Sequence, residues 1–180
     1  NMAKLKRQKH QYADALTLYL KALQAAERMK DEDKIAKAYS HLGVFYVSRN
    51  DLKKGEESHL KALEYFLKNG PSSEISTCYE NLGIVCREKK EYTRALEYYK
   101  KALDINLAEN DSSSIAYSYN DLGAAYSFTG QYDLAEKYLL ESIAIRTRLN
   151  EFDEMAYTLN YLGENYERKG QLELAEHYLK

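Results

Sequence analysis

One short phrase returns four times along the chain. Residues 39–46 read YSHLGVFY, and the echoes are YENLGIVC, YNDLGAAY and LNYLGENY. Their Leu-Gly pairs, Leu42-Gly43, Leu82-Gly83, Leu122-Gly123 and Leu162-Gly163, stand 40 residues apart. A fixed period of this size leaves few folds open: each copy is one supersecondary unit that cannot bury its apolar face alone, and stacking on the next copy completes the core.

Written in rows of 40, the columns align without an insertion over the 180 residues. Asp33, Ser73, Ser113 and Asp153 share a column of helix-capping residues, so the first helix of each unit, helix A, is expected to start there. Asn50, Lys90, Gly130 and Gly170 share a column that tolerates the left-handed conformation and marks its stop. Helices A are thus expected near 34–48, 74–88, 114–128 and 154–168. A second amphipathic run, helix B, begins at Tyr12, Leu52, Tyr92, Tyr132 and Leu172, and continues to Lys68, Ala108 and Leu149 where complete. In the best copy its stripe is Tyr92, Ala95, Leu96, Tyr99, Ala102 and Leu103. The chain divides on this reading into a partial repeat at 1–32, full repeats at 33–72, 73–112 and 113–152, and a truncated repeat at 153–180. It opens with Met2-Ala3 in the Leu-Gly column, late in a helix A, and closes inside a helix B, as a piece of a longer array would. The apolar residues Leu172, Ala175, Tyr178 and Leu179 are then exposed at the open end, where a second copy could form a weak homo-oligomer.

Composition narrows the function. With 26 basic against 28 acidic residues the formal charge is −2, which supplies no field for direct nucleic-acid contact. The basic run at residues 4–10 is read as a solvated helix face. No apolar stretch reaches the about 20 residues that span a bilayer, so no membrane insertion is expected and the location read is cytoplasmic. Cys78 and Cys86 lie eight residues apart on one expected helix, roughly 12 Å along its axis, too far for a disulfide; free buried thiols are expected. His10, His41, His59 and His177 are scattered and form no ligand pair, and every Leu-Gly lies inside a helix rather than in a phosphate loop or nucleophile elbow. The expectation is no enzyme, no catalytic residue, no metal and no cofactor.

The spacing aromatic-x2-Leu-Gly-x2-Tyr, then Ala-x3-aromatic, resembles the tetratricopeptide repeat over the whole chain. Tyr39-Leu42-Gly43-Tyr46 and Tyr119-Leu122-Gly123-Tyr126 carry the first half with Tyr in place of Trp, Ala15-Tyr19 and Ala95-Tyr99 the second, and Ala22, Ala62, Ala102 and Ser142 complete it. The 40-residue period is longer than the usual 34 and lacks the closing proline, and so is similar to the subtype in Leu-Gly-Asn repeat adaptors, kinesin light chains and bacterial peptide-sensing regulators. HEAT and armadillo arrays share the period but not the Leu-Gly spacing. The resemblance implies an all-α fold, a right-handed α-α superhelix (a TPR solenoid) of antiparallel helix pairs with helix A on the concave wall. The glycines would let helix B of the same hairpin approach closely, while the tyrosine columns fill the gaps between hairpins.

Helical periodicity then selects the helix A residues that face away from the structural columns. They are His41 in the first full repeat, with Ser40 and Val44; Glu80, Asn81, Ile84 and Arg87 in the second, with Thr77; Tyr117, Asn120 and Asp121 in the third, with Ala124; and Tyr157, Asn160, Tyr161, Glu164 and Arg168 in the fourth. Amides can pair with an extended backbone, and tyrosines offer large contact area at low entropic cost. For Tyr117, Tyr157 and Tyr161 the alternative is packing between adjacent A helices, and Asn120 and Asn160 could equally bond across the wall. The basic clamp that chaperone-tail-binding members use is not matched: Asn81 fits, but Ser40, Val44 and Tyr117 do not, and Asp121 would repel a carboxylate. The functional reading is an interaction module that binds a peptide or partner protein in a concave groove as a scaffold. The alternatives are a regulatory sensor segment of a bacterial signalling or transcription-control protein, and a self-assembling structural solenoid.

Overall fold

The computed structural model describes residues 2–179, and side chains from residue 12 onward. The basic run at residues 4–10 and His10 therefore lie outside the described side chains, and Lys180 lies outside the described residues. Within these limits the chain forms helices and no strand: α1 (Met2–Met29), α2 (Glu32–Ser48), α3 (Leu52–Asn69), α4 (Ser72–Glu88), α5 (Tyr92–Ala108), α6 (Ser112–Phe128), α7 (Tyr132–Leu149), α8 (Phe152–Lys169) and α9 (Leu172–Leu179). The A helices start at residues 32, 72, 112 and 152, which reproduces the 40-residue spacing of the sequence. The fold is an all-α helical repeat.

Helix ends obey local chemistry. Each A helix ends in the expected column, where Asn50, Lys90, Gly130 and Gly170 all take positive φ (60, 62, 77 and 81°). A second left-handed column closes the B helices at Lys30, Asn110 and Asn150. Gly70 departs from it, with φ −81° and ψ 160°, because a residue before proline is pushed to extended backbone and Pro71 follows.

The helix starts correct the sequence expectation by two residues. Asp31 and Asp111, rather than Asp33 and Ser113, cap α2 and α6, each accepting a backbone N–H at 3.1 Å, from Lys34 and Ser114. Asp33 falls inside the first turn, where the positive end of the helix dipole favours it, and it pairs with Lys37 at 2.9 Å. Ser73 likewise falls inside α4, and Asp153 inside α8. A second correction concerns the first hairpin: α1 runs unbroken from Met2 to Met29, with no turn before Tyr12. Residues 1–11 offer only Met2, Ala3 and Leu5 as apolar residues, too narrow a stripe to fold back on the following run.

The chain divides into two compact units, Asn1–Val85 and Cys86–Lys180. In the first, α1 packs on α2 and α2 on α3. Leu23, Ala26, Ile35, Ala38 and Leu42 form its core, with Tyr19, Tyr39 and Tyr46 packed at the margin. In the second, α5 through α9 pack each on the next, and the A helices α6 and α8 also touch. Leu139, Leu162, Tyr166 and Ala175 are central there. Ala175 and Tyr178 thus face inward, and of the expected open-end residues only Leu172 and Leu179 remain exposed.

The Leu-Gly glycines do what the spacing requires. A methyl on Gly123 would sit 2.6 Å from Cγ of Leu139 on α7, and one on Gly163 at 2.6 Å from Cγ of Leu179 on α9. Both neighbours lie on helix B of the same hairpin, so the missing side chain is what allows the close approach. Cys78 and Cys86 are free and buried, and burial pushes the Cys78 thiol up to about 12, with the Glu74 charge adding to it.

Candidate functional site

The outward faces of the A helices hold the candidate residues, and the structure sorts them by burial. In the first unit His41 is exposed, its ring 6.3 Å from that of Tyr19, while Glu80, Asn81 and Ile84 are half-buried on α4. The remaining candidates belong to the second unit.

There, four of them converge. Arg87 closes the last turn of α4, Asn120 and Asp121 lie mid-way along α6, and Tyr161 comes from α8. Arg87 Nη1 donates to the Tyr161 hydroxyl at 3.5 Å, stands 4.0 Å from Asp121 Oδ1, and its Nη2 is 3.6 Å from Glu88. Asn120 is 8% exposed, and its Nδ2 donates to Asp121 Oδ1 at 3.5 Å. Every one of these contacts is long for a charged group. The consequence falls on Asp121, whose carboxyl burial pushes up to about 6 against the opposing pull of Arg87, Asn120 and Arg146. Two buried polar atoms beside it, Tyr99 Oη and Asn120 Oδ1, have no hydrogen-bond partner. Burial also drives the Tyr99 phenol far above its ordinary range, with Asp121 reinforcing the effect.

The other second-unit candidates stay at the surface. Tyr157 is 70% exposed and Tyr117 46%, and Asn160 is exposed. Tyr157 and Asn160 lie three residues apart on α8 and so share one face. Glu164 and Arg168 pair at 3.1 Å. Arg168 also donates to Ser127 Oγ at 3.1 Å, and its guanidinium lies 4.2 Å from the centre of the Phe128 ring, which in turn stacks on Tyr92.

Sequence reasoning missed Arg146, Ser127, Phe128 and the polar end of Tyr99. Arg146 is 1% exposed. Its guanidinium lies 4.3 Å from the centre of the Tyr117 ring, and it reaches Ser142 Oγ at 3.4 Å and Glu151 Oε2 at 3.5 Å. The signal was in the columns: Ala26, Phe66, Asn106 and Arg146 align, so an arginine stands where apolar residues pack in the first unit. Glu151, which occupies the cap position of α8, makes no side-chain cap and turns to Arg146 instead. Among the described residues no three His, Cys, Asp or Glu converge as metal ligands, and no helix is long and apolar enough to cross a membrane.

The profile of the tetratricopeptide repeat matches residues 34–108 and 113–180. The chain belongs to the tetratricopeptide repeat family. Several solved repeat proteins share its fold. BtubC (BKLC) from P. vanneervenii is 26% identical with a TM-score of 0.83, over 98% of this chain and 74% of that one. A Podosopora anserina protein assigned by description as a kinesin light chain, with nearly identical TPR-like repeats, is 18% identical with a TM-score of 0.76, over 99% and 88%. A Rap protein in complex with Competence and Sporulation Factor is 19% identical with a TM-score of 0.81, over 97% of this tetratricopeptide chain and 49% of the Rap chain. This chain therefore spans about half the length of that neighbour. No curated protein matches it in sequence.

Proposed function

We propose that this tetratricopeptide chain is a scaffold module whose A-helix face holds an extended or helical peptide of a partner protein. The observation that carries the reading is the pair Tyr157 and Asn160: a large aromatic and an amide, exposed on one face of α8 and making no hydrogen bond or ring contact among the described residues. An exposed aromatic of this kind gives contact area with only two side-chain torsions to fix, and a free amide can match a donor and an acceptor of a backbone. Tyr117 extends the face on α6, its ring held from beneath by Arg146. Asn120, Asp121 and Tyr161 support the face rather than offering contact area, since their side chains are engaged inside the unit. The Rap neighbour, solved with a bound factor, supports the idea that this fold can carry a ligand. The sensor reading rests on that shared fold alone, and no described side chain favours it.

A peptide-display library selected on the immobilised chain tests the proposal, with the Tyr157→Ala/Asn160→Ala double variant as the comparison. Selected peptides are expected to lose at least about tenfold in affinity on the double variant, roughly 1.4 kcal/mol. Peptides that bind both forms equally well would show that this face is not where the partner sits.

A further inference from the structure

The outward residues of α8 carry a charge that their neighbours do not balance. Asp153, Tyr157, Asn160 and Glu164 follow one another at steps of four, three and four residues, so they form one stripe along the helix. Asp153 is exposed and forms no ion pair among the described residues, whereas Glu164 is held by Arg168 at 3.1 Å. Both cations of α8 are engaged. Arg168 also donates to Ser127 Oγ at 3.1 Å, and Lys169 turns to Asp133 at 2.8 Å and to Glu136 at 3.0 Å. The neighbouring A helix, α6, carries Asp121 and no lysine or arginine. A partner therefore meets this stripe as an acidic surface with an aromatic ring in it.

We infer that the partner segment brings an arginine to this stripe, which lays its guanidinium on the Tyr157 ring and pairs with the Asp153 carboxylate. The inference rests on the α8 face being where the peptide sits. A long side chain on a helix leans back toward the N-terminus, which carries the Tyr157 ring over the turn that holds Asp153. Ring and carboxylate then border the same patch of surface, and Asn160 one turn on is left for the peptide backbone beside the arginine.

The same column shows such a pairing one period earlier. Tyr117 stands 40 residues before Tyr157, and the Arg146 guanidinium lies 4.3 Å from its ring centre. Arg168 takes the same place on Phe128, at 4.2 Å. Tyr157 is 70% exposed and has no cation on its ring among the described residues. Lysines approach rings of the second unit less closely, Lys100 at 5.8 Å from Tyr126 and Lys101 at 5.8 Å from Tyr98. A planar guanidinium can stack on a ring and still turn N–H donors at its edge to a carboxylate, which a compact ammonium does not do. Arginine is thus the cation that Tyr157 and Asp153 can hold together.

The test is a random peptide-display library selected on the whole chain, with the selected peptides then synthesised and measured on Asp153→Asn, Tyr157→Leu and the Tyr157→Ala/Asn160→Ala pair. The peptides are expected to share an arginine, and copies with that arginine changed to glutamine to bind at least about tenfold more weakly. Asp153→Asn is expected to weaken the arginine peptide about fivefold and to leave the glutamine copy unchanged, because the pair is already broken there. Tyr157→Leu, which keeps apolar area and loses the ring face, is expected to weaken the arginine peptide by about the same factor. Peptides that fail on the double variant but share no arginine overturn the inference and leave the α8 face as the docking site. So do peptides that bind Asp153→Asn or Tyr157→Leu as well as the native chain. Peptides indifferent to the double variant show the face itself to be wrong, and the inference falls with it.

Discussion

Burial sets the chemistry of His59. Its ring is 1% exposed, with Nδ1 unpartnered, and fills the space opened by Gly43, where a methyl would come within 2.6 Å of Nδ1. Desolvation alone lowers its pKa to about 4 from an ordinary 6.5. The unfolded chain takes up a proton below 6.5 that the folded chain refuses until about 4, so the folded state loses stability as the pH falls through that window. Relative to His59→Leu, which borrows the residue that Leu139 supplies in the same column, the native chain is expected to lose about 3 kcal/mol between pH 7 and 4, read by urea unfolding. Asp121 acts with the opposite sign. The folded chain keeps its proton up to about 6, while the unfolded chain releases it above 3.8, so the native state loses stability as the pH rises between those values. Asp121→Asn is therefore expected to gain stability relative to the native chain from about pH 4 to 6. Arg146 is a different case. Removing it as Arg146→Ala leaves a cavity and strips Glu151 and Tyr117 of their cation, an expected loss of about 3 kcal/mol. Arg146→Met keeps most of the volume and is expected to cost less than half of that in the same measurement.

At the scale of helices, caps and close approaches decide the hairpin. Asp111→Ala is expected to lower stability by about 1 kcal/mol, because the Ser114 N–H loses its acceptor. Asp153→Ala, inside the first turn of α8, is expected to change it by no more than about 0.5 kcal/mol. Equal losses at the two sites in denaturant unfolding would put the cap back where the sequence column suggested. Gly123→Ala forces a methyl against Leu139 Cγ and, at 3.2 Å, against the Ala135 carbonyl oxygen, which cannot retreat as a side-chain tip can. A loss of about 1 to 3 kcal/mol is expected from this overpacking.

For the molecule as a whole, the division into Asn1–Val85 and Cys86–Lys180 carries a prediction about how the damage spreads. In a repeat array each helix pair answers mainly to its neighbours, and opening is local before it is global. The Gly123→Ala variant is therefore expected to speed amide exchange in α6 and α7 well beyond any change in α2 and α3, as native-state hydrogen exchange would show. A uniform acceleration along the chain would mean that the two units open as one.

The periodic pattern of Leu, Gly and Tyr was enough to determine the repeat, the A-helix stops and the glycine contacts, because each depends on residues close in sequence or on a column that repeats. Tertiary structure alone decided where the polar residues of the A helices go. Tyr117, Asn120, Asp121, Tyr157, Asn160 and Tyr161 read alike on a helical wheel, yet Tyr157 and Asn160 face outward while Asn120, Asp121 and Tyr161 join Arg87 within the second unit. Whether such a side chain meets solvent depends on what α4, α5 and α7 bring beside it. The arginine that completes that arrangement, Arg146, comes from a column that the period marks as core. Local spacing sets the helices and the faces they turn to one another. The long-range neighbours of a polar side chain set its charge, its partners and its exposure, and those neighbours exist only once the hairpins have stacked.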